Sequence, residues 1–246
     1  MPIEAGQNSF ISERRHRTLL RKLSTRWPHD QIFNRSTAAQ NAQHVATFFR
    51  PACSYIVQNG VDLGKFSPQG LPEQGCILAV GSLLPITRWN HLLRVVACLK
   101  EKGLEFKVLH AGSGPLREEL EAMARGMHVE HVIRFLGHRD DIPSLLAGPA
   151  FLVHRSDVEG LPNAALEPMP CGCAVVGADV GDVPFLIDDG KTLFIGARQD
   201  ETALVNRMDI LLADRESYRR MREAGRLNAE QEFSLEYLVS ETCTVY

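Results

Sequence analysis

From about residue 76 onward, the apolar and polar positions of this chain alternate between two periods. Short, nearly continuous apolar runs such as CILAV and AFLV are typical of strands buried on both faces. The segments between them carry apolar residues three and four positions apart, and several begin near a proline or end at a glycine. The pattern therefore predicts strands at 76–83, 105–114, 132–138, 150–156 and 173–181, and helical segments at 91–103, 115–127, 140–148, 161–169 and 201–233.

Regular alternation of strands and helices predicts an α/β fold, a Rossmann-like doubly wound parallel sheet with helices on both faces. Before residue 76 the pattern differs. We predict a basic, partly amphipathic helix at 12–27, a second helix at 36–49, a strand and Asn-Gly turn within 55–68, and a last helix at 233–246. The predicted organisation is a helical segment over 1–51, a compact sheet domain over 52–230 and a C-terminal helix over 231–246.

Composition and charge narrow the range of partners. The formal net charge is −3, so we expect no general attraction to nucleic acid. No apolar run is long enough to cross a bilayer, and the N-terminus lacks the apolar core of a secretory signal, which favours a cytoplasmic location. The basic segment 12–27 keeps peripheral membrane contact open as an alternative.

The spacing of the cysteines does not indicate a metal site. Six are spread along the chain, and only Cys171 and Cys173 are close together. Their CGC spacing lacks the CxxC pattern and a second ligand pair of a structural zinc site. We expect reduced, mostly buried thiols instead.

The glycine-containing turns after the predicted strands are candidates for ligand binding. In doubly wound sheets, ligands lie beyond the carboxyl ends of the strands, and helix N-termini attract anions. In the stretch EGLPNAALE, Gly160 would let the backbone approach a phosphate and Asn163 would add a side-chain donor. Pro162 suits the first helical position, where a missing N–H costs nothing.

Two carboxylates, Glu159 and Glu167, stand eight positions apart around that turn. A phosphate repels carboxylates, whereas sugar hydroxyls donate hydrogen bonds to them readily. A nucleotide sugar, which has a sugar on each side of a diphosphate, would satisfy both groups. On spacing alone the alternative stays open that these are capping or solvated charges.

Several motifs occur together in a fixed order, and the set resembles the C-terminal domain of retaining GT-B glycosyltransferases of the family 4 type. The resemblance covers about residues 34–240 and rests on VGSLLP, AGSGPLREELE, FLGHRDDIPSLL, SDVEGLPNAALEPMPCG and DVGDVPFLIDDG. It implies one half of a GT-B fold, with the N-terminal acceptor domain largely missing. It also implies a hexosyltransferase-type enzyme that transfers sugar from a nucleotide-sugar donor with retention and without a required metal or cofactor.

The resemblance also implies roles for residues. Glu159 would contact hydroxyls of the donor sugar and Glu167 would hold the ribose hydroxyls. The segment near Gly137 and His138 would lie beside the nucleotide base. The catalytic candidates are Glu159 and Arg88. The expected donor-binding residues are Glu167, Gly160, Leu161, Pro162, Asn163, Gly81, Ser82, Gly112, Gly114, Gly137 and His138.

One departure from the family pattern removes charge from the expected site. Where the family carries an arginine and a lysine that grip the diphosphate, this chain has Ser82 and Thr87. Arg88 is the candidate that would replace them, and the alternative is a surface arginine beside Trp89. We expect His110 to be a satisfied core histidine, with a ligand-facing side chain as the alternative. Helix capping is the expected role of Asp140 and Asp141.

Prolines mark a second departure. Pro168 and Pro170 follow Glu167, and a proline removes a helical hydrogen bond and disfavours helical geometry in the residue before it. We therefore predict a short or kinked helix from Pro162, and an unbroken helix through Met169 would contradict this.

A missing acceptor domain would leave apolar surface uncovered. It would call for a separate acceptor-domain subunit or self-association. The alternative function is a catalytically impaired nucleotide-sugar-binding or interaction module or subunit. Under the transferase interpretation, inactivity without an acceptor domain stays open as an alternative. The side chains expected to be exposed are Leu19, Leu20, Leu23, Trp27, Leu235, Tyr237 and Leu238.

Overall fold

A computed structural model describes residues 30–33, 53–70, 73–154, 163–178, 194–196 and 200–245. The chain divides into two compact units, one of Val61–Ser234 and one of Met1–Gly60 with Leu235–Tyr246. In chain order the described strands are β1 (Asp30–Phe33), β2 (Cys53–Ile56), β3 (Glu73–Val80), β4 (Lys107–Ala111), β5 (Ile133–Gly137), β6 (Pro149–His154), β7 (Ala174–Ala178) and β8 (Phe194–Gly196). The helices are α1 (Trp89–Glu101), α2 (Arg117–Gly126), α3 (Ile142–Ala147), α4 (Asn163–Leu166), α5 (Glu201–Ala213), α6 (Arg215–Glu232) and α7 (Leu235–Val245).

The larger unit contains a sheet of six described strands in the order β5-β4-β3-β6-β7-β8. All of its strand pairs are parallel. This order is that of the dinucleotide-binding fold, in which the winding direction reverses between the first and fourth strands. Here that switch point lies between β3 and β6. The predicted parallel sheet is confirmed, and β8 is a strand that the apolar pattern did not predict.

Alternate residues of the strands pack against opposite faces of the sheet. Ile77 and Ala79 of β3 belong to one apolar cluster and Leu78 to the other. Helices α1, α2 and α5 contribute side chains to the first cluster, and α3 and α4 to the second. Burial on both faces explains why these strands appear as continuous apolar runs, and the doubly wound arrangement is confirmed.

The prolines after Glu167 shorten the helix that begins at Asn163. Helix α4 ends at Leu166, and turns follow over 167–172. Backbone bonds of those turns run from Gly172 N to Met169 O at 2.9 Å and from Cys173 N to Pro168 O at 3.0 Å. The predicted short helix is confirmed.

An aspartate divides the helical run predicted over 201–233. Asp214 has an extended backbone, with φ −105° and ψ 98°, and therefore ends α5. Its side chain accepts hydrogen bonds from the backbone N–H groups of Glu216 and Ser217, which caps α6. The run is thus two helices.

The smaller unit contains the parallel pair β1–β2 and helix α7. Leu235 and Tyr237 of α7 are exposed, as predicted, whereas Leu238 is half-buried. The helices predicted at 12–27 and 36–49, and with them Leu19, Leu20, Leu23 and Trp27, lie outside the described residues. None of the described helices is long and apolar enough to span a membrane.

The burial of the cysteine side chains differs from the prediction. Cys76, Cys171 and Cys173 are buried, but Cys53, Cys98 and Cys243 are exposed, so the prediction of mostly buried thiols is wrong for half of them. Burial raises the pKa of Cys171 to about 11 and also raises the pKa of Cys173. In the described part of the chain, no three His, Cys, Asp or Glu residues are grouped so that they could hold a metal ion.

Candidate functional site

The loop that follows β3 lies at the carboxyl edge of the sheet, beside the switch point. Its backbone is bonded to the end of β4 and to the loop that follows it, because Gly81 N donates to Ala111 O and Leu83 N donates to Ser113 O, each at 3.0 Å. Gly112 N in turn donates to Gly137 O at the end of β5, at 2.8 Å. Gly81, Gly112 and Gly137, three of the expected site residues, thus belong to one hydrogen-bonded edge.

The glycines of these loops are required by packing of backbone on backbone. A β-carbon on Gly112 would lie 1.9 Å from Gly81 O, and one on Gly114 would lie 2.4 Å from Leu83 O. The sequence interpretation assigned these glycines to ligand approach alone. The structure adds a reason that holds with or without a ligand.

Ser82 and Thr87 take part in hydrogen bonds within the loop that follows β3. The Thr87 hydroxyl lies 2.9 Å from Ser82 O and 2.6 Å from Leu84 O, and the Trp89 indole N–H donates to Ser82 O at 2.9 Å. Thr87 is 8% exposed. The two positions that lack the basic residues therefore hold the shape of the loop. Thr87 and Trp89 are site-building residues that sequence reasoning missed, since no local pattern indicates these contacts.

Arg88 is the exposed cation of this loop. It has left-handed backbone geometry, with φ 51° and ψ 37°, and stands at the N-cap of the 13-residue helix α1. Its carbonyl accepts from His91 N at 2.9 Å in the first turn of that helix. A positive side chain is thus carried at the edge where Ser82 and Thr87 supply none.

His110 lies near the carboxyl end of β4 and is fully buried. Its ring meets Trp89 edge-on, with ring centroids 4.5 Å apart, and lies 5.5 Å from that of Phe135. Within the described residues neither ring nitrogen has a hydrogen-bond partner. Burial lowers the pKa of His110 to about 4, and Arg117 contributes in the same direction. The prediction of a core histidine is confirmed by this burial, and no described residue supplies a hydrogen bond to the ring.

His154 ends β6 at the other side of the switch point. It is 5% exposed and pairs in register with Gly177 of β7, which has no side chain. Burial lowers its pKa to about 4. Neutral imidazoles therefore lie near the carboxyl ends of both β4 and β6.

The end of β5 carries Gly137 and His138. Gly137 has φ 77°, which favours glycine. Arg117 donates to Phe135 O at 3.2 Å beside it. His138 is exposed and lies 3.1 Å from an oxygen of Asp140. The edge near β5 is therefore open to solvent at His138 and bordered by a cation.

The expected capping role of the two aspartates before α3 is not observed. Asp141 occupies the N-cap position, but its side chain makes no capping bond. It accepts two hydrogen bonds from Arg139, at 2.7 and 2.5 Å, while Asp140 pairs with His138. The Arg139 guanidinium lowers the pKa of Asp141. Bonds to the side chains of Arg139 and His138 have replaced capping.

Glu167 follows α4 and is half-buried, with its N–H donating to Asn163 O at 2.8 Å. Burial raises the pKa of its carboxyl group, and the positive charge of Lys65 opposes the rise. Asn163 is exposed at the start of the helix. The other residues expected along the diphosphate and the donor sugar, Glu159, Gly160, Leu161 and Pro162, lie outside the described residues.

A six-stranded sheet of this order, with glycine loops at its switch point, defines a Rossmann-like fold. The family model described as "Glycosyl transferases group 1" matches residues 65–228. The chain belongs to this glycosyltransferase family.

Relatives include two enzymes of known type. N-acetyl-alpha-D-glucosaminyl L-malate synthase of Bacillus anthracis is 31% identical over 143 residues, which are 58% of this chain and 38% of that protein. D-inositol 3-phosphate glycosyltransferase of Actinosynnema mirum is 33% identical over 182 residues, covering 62% of this chain and 42% of that protein. The chain thus spans less than half the length of either relative.

Solved structures share the fold. The complex of Anabaena HepE with UDP superposes with a TM-score of 0.85 at 20% identity, over 99% of this chain and 72% of that one. The C-terminal domain of the Francisella tularensis group 1 glycosyltransferase LpcC matches with a TM-score of 0.66 at 21% identity, over 72% of this chain and 100% of that one. The predicted C-terminal domain of a GT-B glycosyltransferase is confirmed.

Proposed function

We propose that this chain binds the nucleotide-sugar donor of a retaining glycosyltransferase. The observation that carries the proposal is the strand order, because it sets a switch point between β3 and β6 at the carboxyl edge of the sheet. The loop at 81–88 follows β3 at this point, and the segment leading to Glu167 follows β6. HepE, which has the same fold, was crystallised with UDP and glucose.

The described residues support separate roles for different parts of the donor site. Glu167 accepts hydrogen bonds from the ribose hydroxyls, and its partial burial strengthens them because little water competes. Asn163 adds a donor beside the diphosphate, and the edge at Gly137 and His138 borders the base. Glu159, Gly160, Leu161 and Pro162 lie outside the described residues, and the family resemblance assigns Glu159 to the donor sugar and the other three to the diphosphate.

Arg88 supplies positive charge to the leaving diphosphate in this proposal. Negative charge builds on that group as the glycosidic bond breaks, so a fixed cation stabilises the transition state more than the ground state. A hydrogen bond to a charged group contributes about 1.5–3 kcal/mol, or roughly one to two powers of ten in rate. The family resemblance further implies transfer without a required metal ion.

Isothermal titration with UDP-, GDP- and ADP-sugars tests donor binding. We expect one of these donors to bind and to raise the melting temperature. Glu167→Ala should weaken its affinity about tenfold or more through loss of charge-assisted hydrogen bonds to the ribose. Glu105→Ala, at an exposed position just before β4 and thus at the opposite edge of the sheet, is the matched control and should bind as the wild type does. The proposal fails if none of the three donors binds.

A second function, nucleotide-sugar binding without turnover, is favoured by one observation. The Thr87 hydroxyl is engaged with backbone oxygens and Ser82 has no charge, so Arg88 is the single basic side chain of the 81–88 loop. Release of nucleoside diphosphate from the bound donor, measured with and without added acceptor sugars, separates the two functions. Turnover supports the transferase, and binding with no release of diphosphate supports the binding module.

A further inference from the structure

The Ser82 carbonyl oxygen accepts from two side chains that flank Arg88 in the chain. The indole N–H of Trp89 can only donate, and its bond to Ser82 O is 2.9 Å long. Thr87 has one hydroxyl proton, which it shares between Ser82 O and Leu84 O. Together, Ser82, Thr87 and Trp89 form a three-residue brace.

The brace is anchored in the core of the sheet domain. Trp89 is 3% exposed, and its ring lies edge-on to His110. A β-carbon on Gly81 would lie 3.0 Å from the Trp89 ring, so the indole also packs closely on the backbone that leaves β3. The ring therefore has little room to rotate away from Ser82.

Arg88 needs such support because its backbone is left-handed, a conformation that disfavours residues other than glycine. One neighbour of Arg88 is fixed by the Thr87 hydroxyl and the other by the Trp89 indole. Both bonds end on the same carbonyl oxygen, so the turn that carries Arg88 is closed at its base.

We propose that Thr87 and Trp89 are positioning residues that act through the Ser82 carbonyl and hold Arg88 ready to contact the diphosphate of the donor. This inference rests on the proposed function. It gives a reason why position 87 carries a hydroxyl and not a basic side chain, since the Thr87 hydroxyl bonds Ser82 O and Leu84 O. A cation held in place before binding loses less conformational freedom when the ligand arrives.

Titration of the wild type with a nucleoside diphosphate, and with the matching nucleoside as the phosphate-free control, tests the inference. Arg88→Ala should weaken diphosphate binding about tenfold or more and leave nucleoside binding unchanged. Trp89→Phe, which keeps an aromatic ring but removes the N–H, should weaken diphosphate binding about fivefold with no effect on the nucleoside. Thr87→Val should act in the same direction, and Thr87→Ser should restore affinity because it keeps the hydroxyl.

A double-mutant cycle separates positioning from a general structural role. If Trp89 acts through Arg88, then adding Trp89→Phe to Arg88→Ala should cause no further loss of diphosphate affinity. Multiplied effects, or equal losses for nucleoside and diphosphate, would overturn the inference while leaving the proposed function intact. Absence of all nucleotide binding by the wild type would instead remove the proposed function, and this inference with it. Should Trp89→Phe not fold, the Thr87→Val and Thr87→Ser pair decides the outcome.

Discussion

Gly112 packs so closely against Gly81 that a β-carbon on Gly112 would lie 1.9 Å from the Gly81 carbonyl oxygen. The two glycines leave neighbouring parallel strands and bring their loops into direct backbone contact. No side chain of any kind fits between them, so the candidate site is built on a contact that requires glycine.

Gly112→Ala is therefore expected to lower the free energy of unfolding by about 3 kcal/mol, from overpacking together with an unfavourable φ. Urea denaturation measures this loss. Gly126→Ala is the matched control, because a β-carbon there meets nothing within 4 Å and Gly126 is the last residue of α2. It should raise stability by up to about 1 kcal/mol. Similar effects of the two variants would contradict the packing explanation.

His110 makes the stability of the protein sensitive to acid. Its pKa falls from an ordinary value of 6.5 to about 4 in the folded state. Between these values the unfolded chain binds a proton that the folded protein does not, so stability decreases as pH falls, by about 1.4 kcal/mol per pH unit. His110→Leu should remove about 1.4 kcal/mol of the loss between pH 7.5 and 5.5, measured by urea denaturation.

At pH 7.5 the His110→Leu variant should be at least as stable as the wild type. Leucine removes two buried ring nitrogens that lack partners in the described residues, and such a replacement is nearly neutral or stabilising. Equal acid sensitivity of the two proteins would show that His110 is solvated or paired in the folded state. His154 has a pKa lowered in the same way, so part of the acid sensitivity should remain in the variant.

Glu167 is expected to favour binding at a cost in stability. Burial raises its pKa above the ordinary 4.5, so its ionisation destabilises the folded protein as pH rises through and beyond that value. Glu167→Gln should therefore be more stable than the wild type at pH 7, with the difference closing near pH 4.5. Nucleotide-sugar affinity at pH 7 should fall, measured by titration calorimetry. A variant that is less stable at pH 7 would contradict the desolvation cost.

Restoring the family's basic residues should succeed at position 82 and fail at position 87. An arginine at 82 should improve diphosphate binding, whereas a lysine at 87 should destabilise the fold. Ser82 is exposed, so Ser82→Arg adds a cation without burying it and should tighten nucleoside diphosphate binding about tenfold. Thr87 is buried, so Thr87→Lys loses the hydroxyl bonds of the loop and forces an ammonium group toward the core. We expect Thr87→Lys to cost about 2 kcal/mol or more of stability.

Calorimetry and urea denaturation of both variants measure these effects. Unchanged stability of Thr87→Lys would show that the loop tolerates a different shape from the one in the structure. Unchanged diphosphate affinity of Ser82→Arg would mean that the diphosphate does not approach Ser82.

The sequence correctly predicted those elements whose pattern lies within a few neighbouring residues. The strands from β3 to β7 were predictable because both of their faces are buried and their apolar runs are continuous. The end of α4 before Met169 followed from the covalent geometry of proline. The three-residue β8 was missed because it is too short to show a period. The capping roles of Asp140 and Asp141 were wrong because the side chains of His138 and Arg139 bond to these carboxylates instead.

By itself, the sequence determined the class of fold, and it predicted the edge of the sheet at which a ligand should bind, because hydrophobic periodicity and glycine turns act over a few residues. Only the tertiary structure decided what Gly112, Thr87, Trp89 and His110 do there. Their roles depend on atoms that the chain brings together from different strands and loops, and on the loss of water around them. Distances between residues far apart in the chain, and the burial of their side chains, cannot be deduced from local residue spacing.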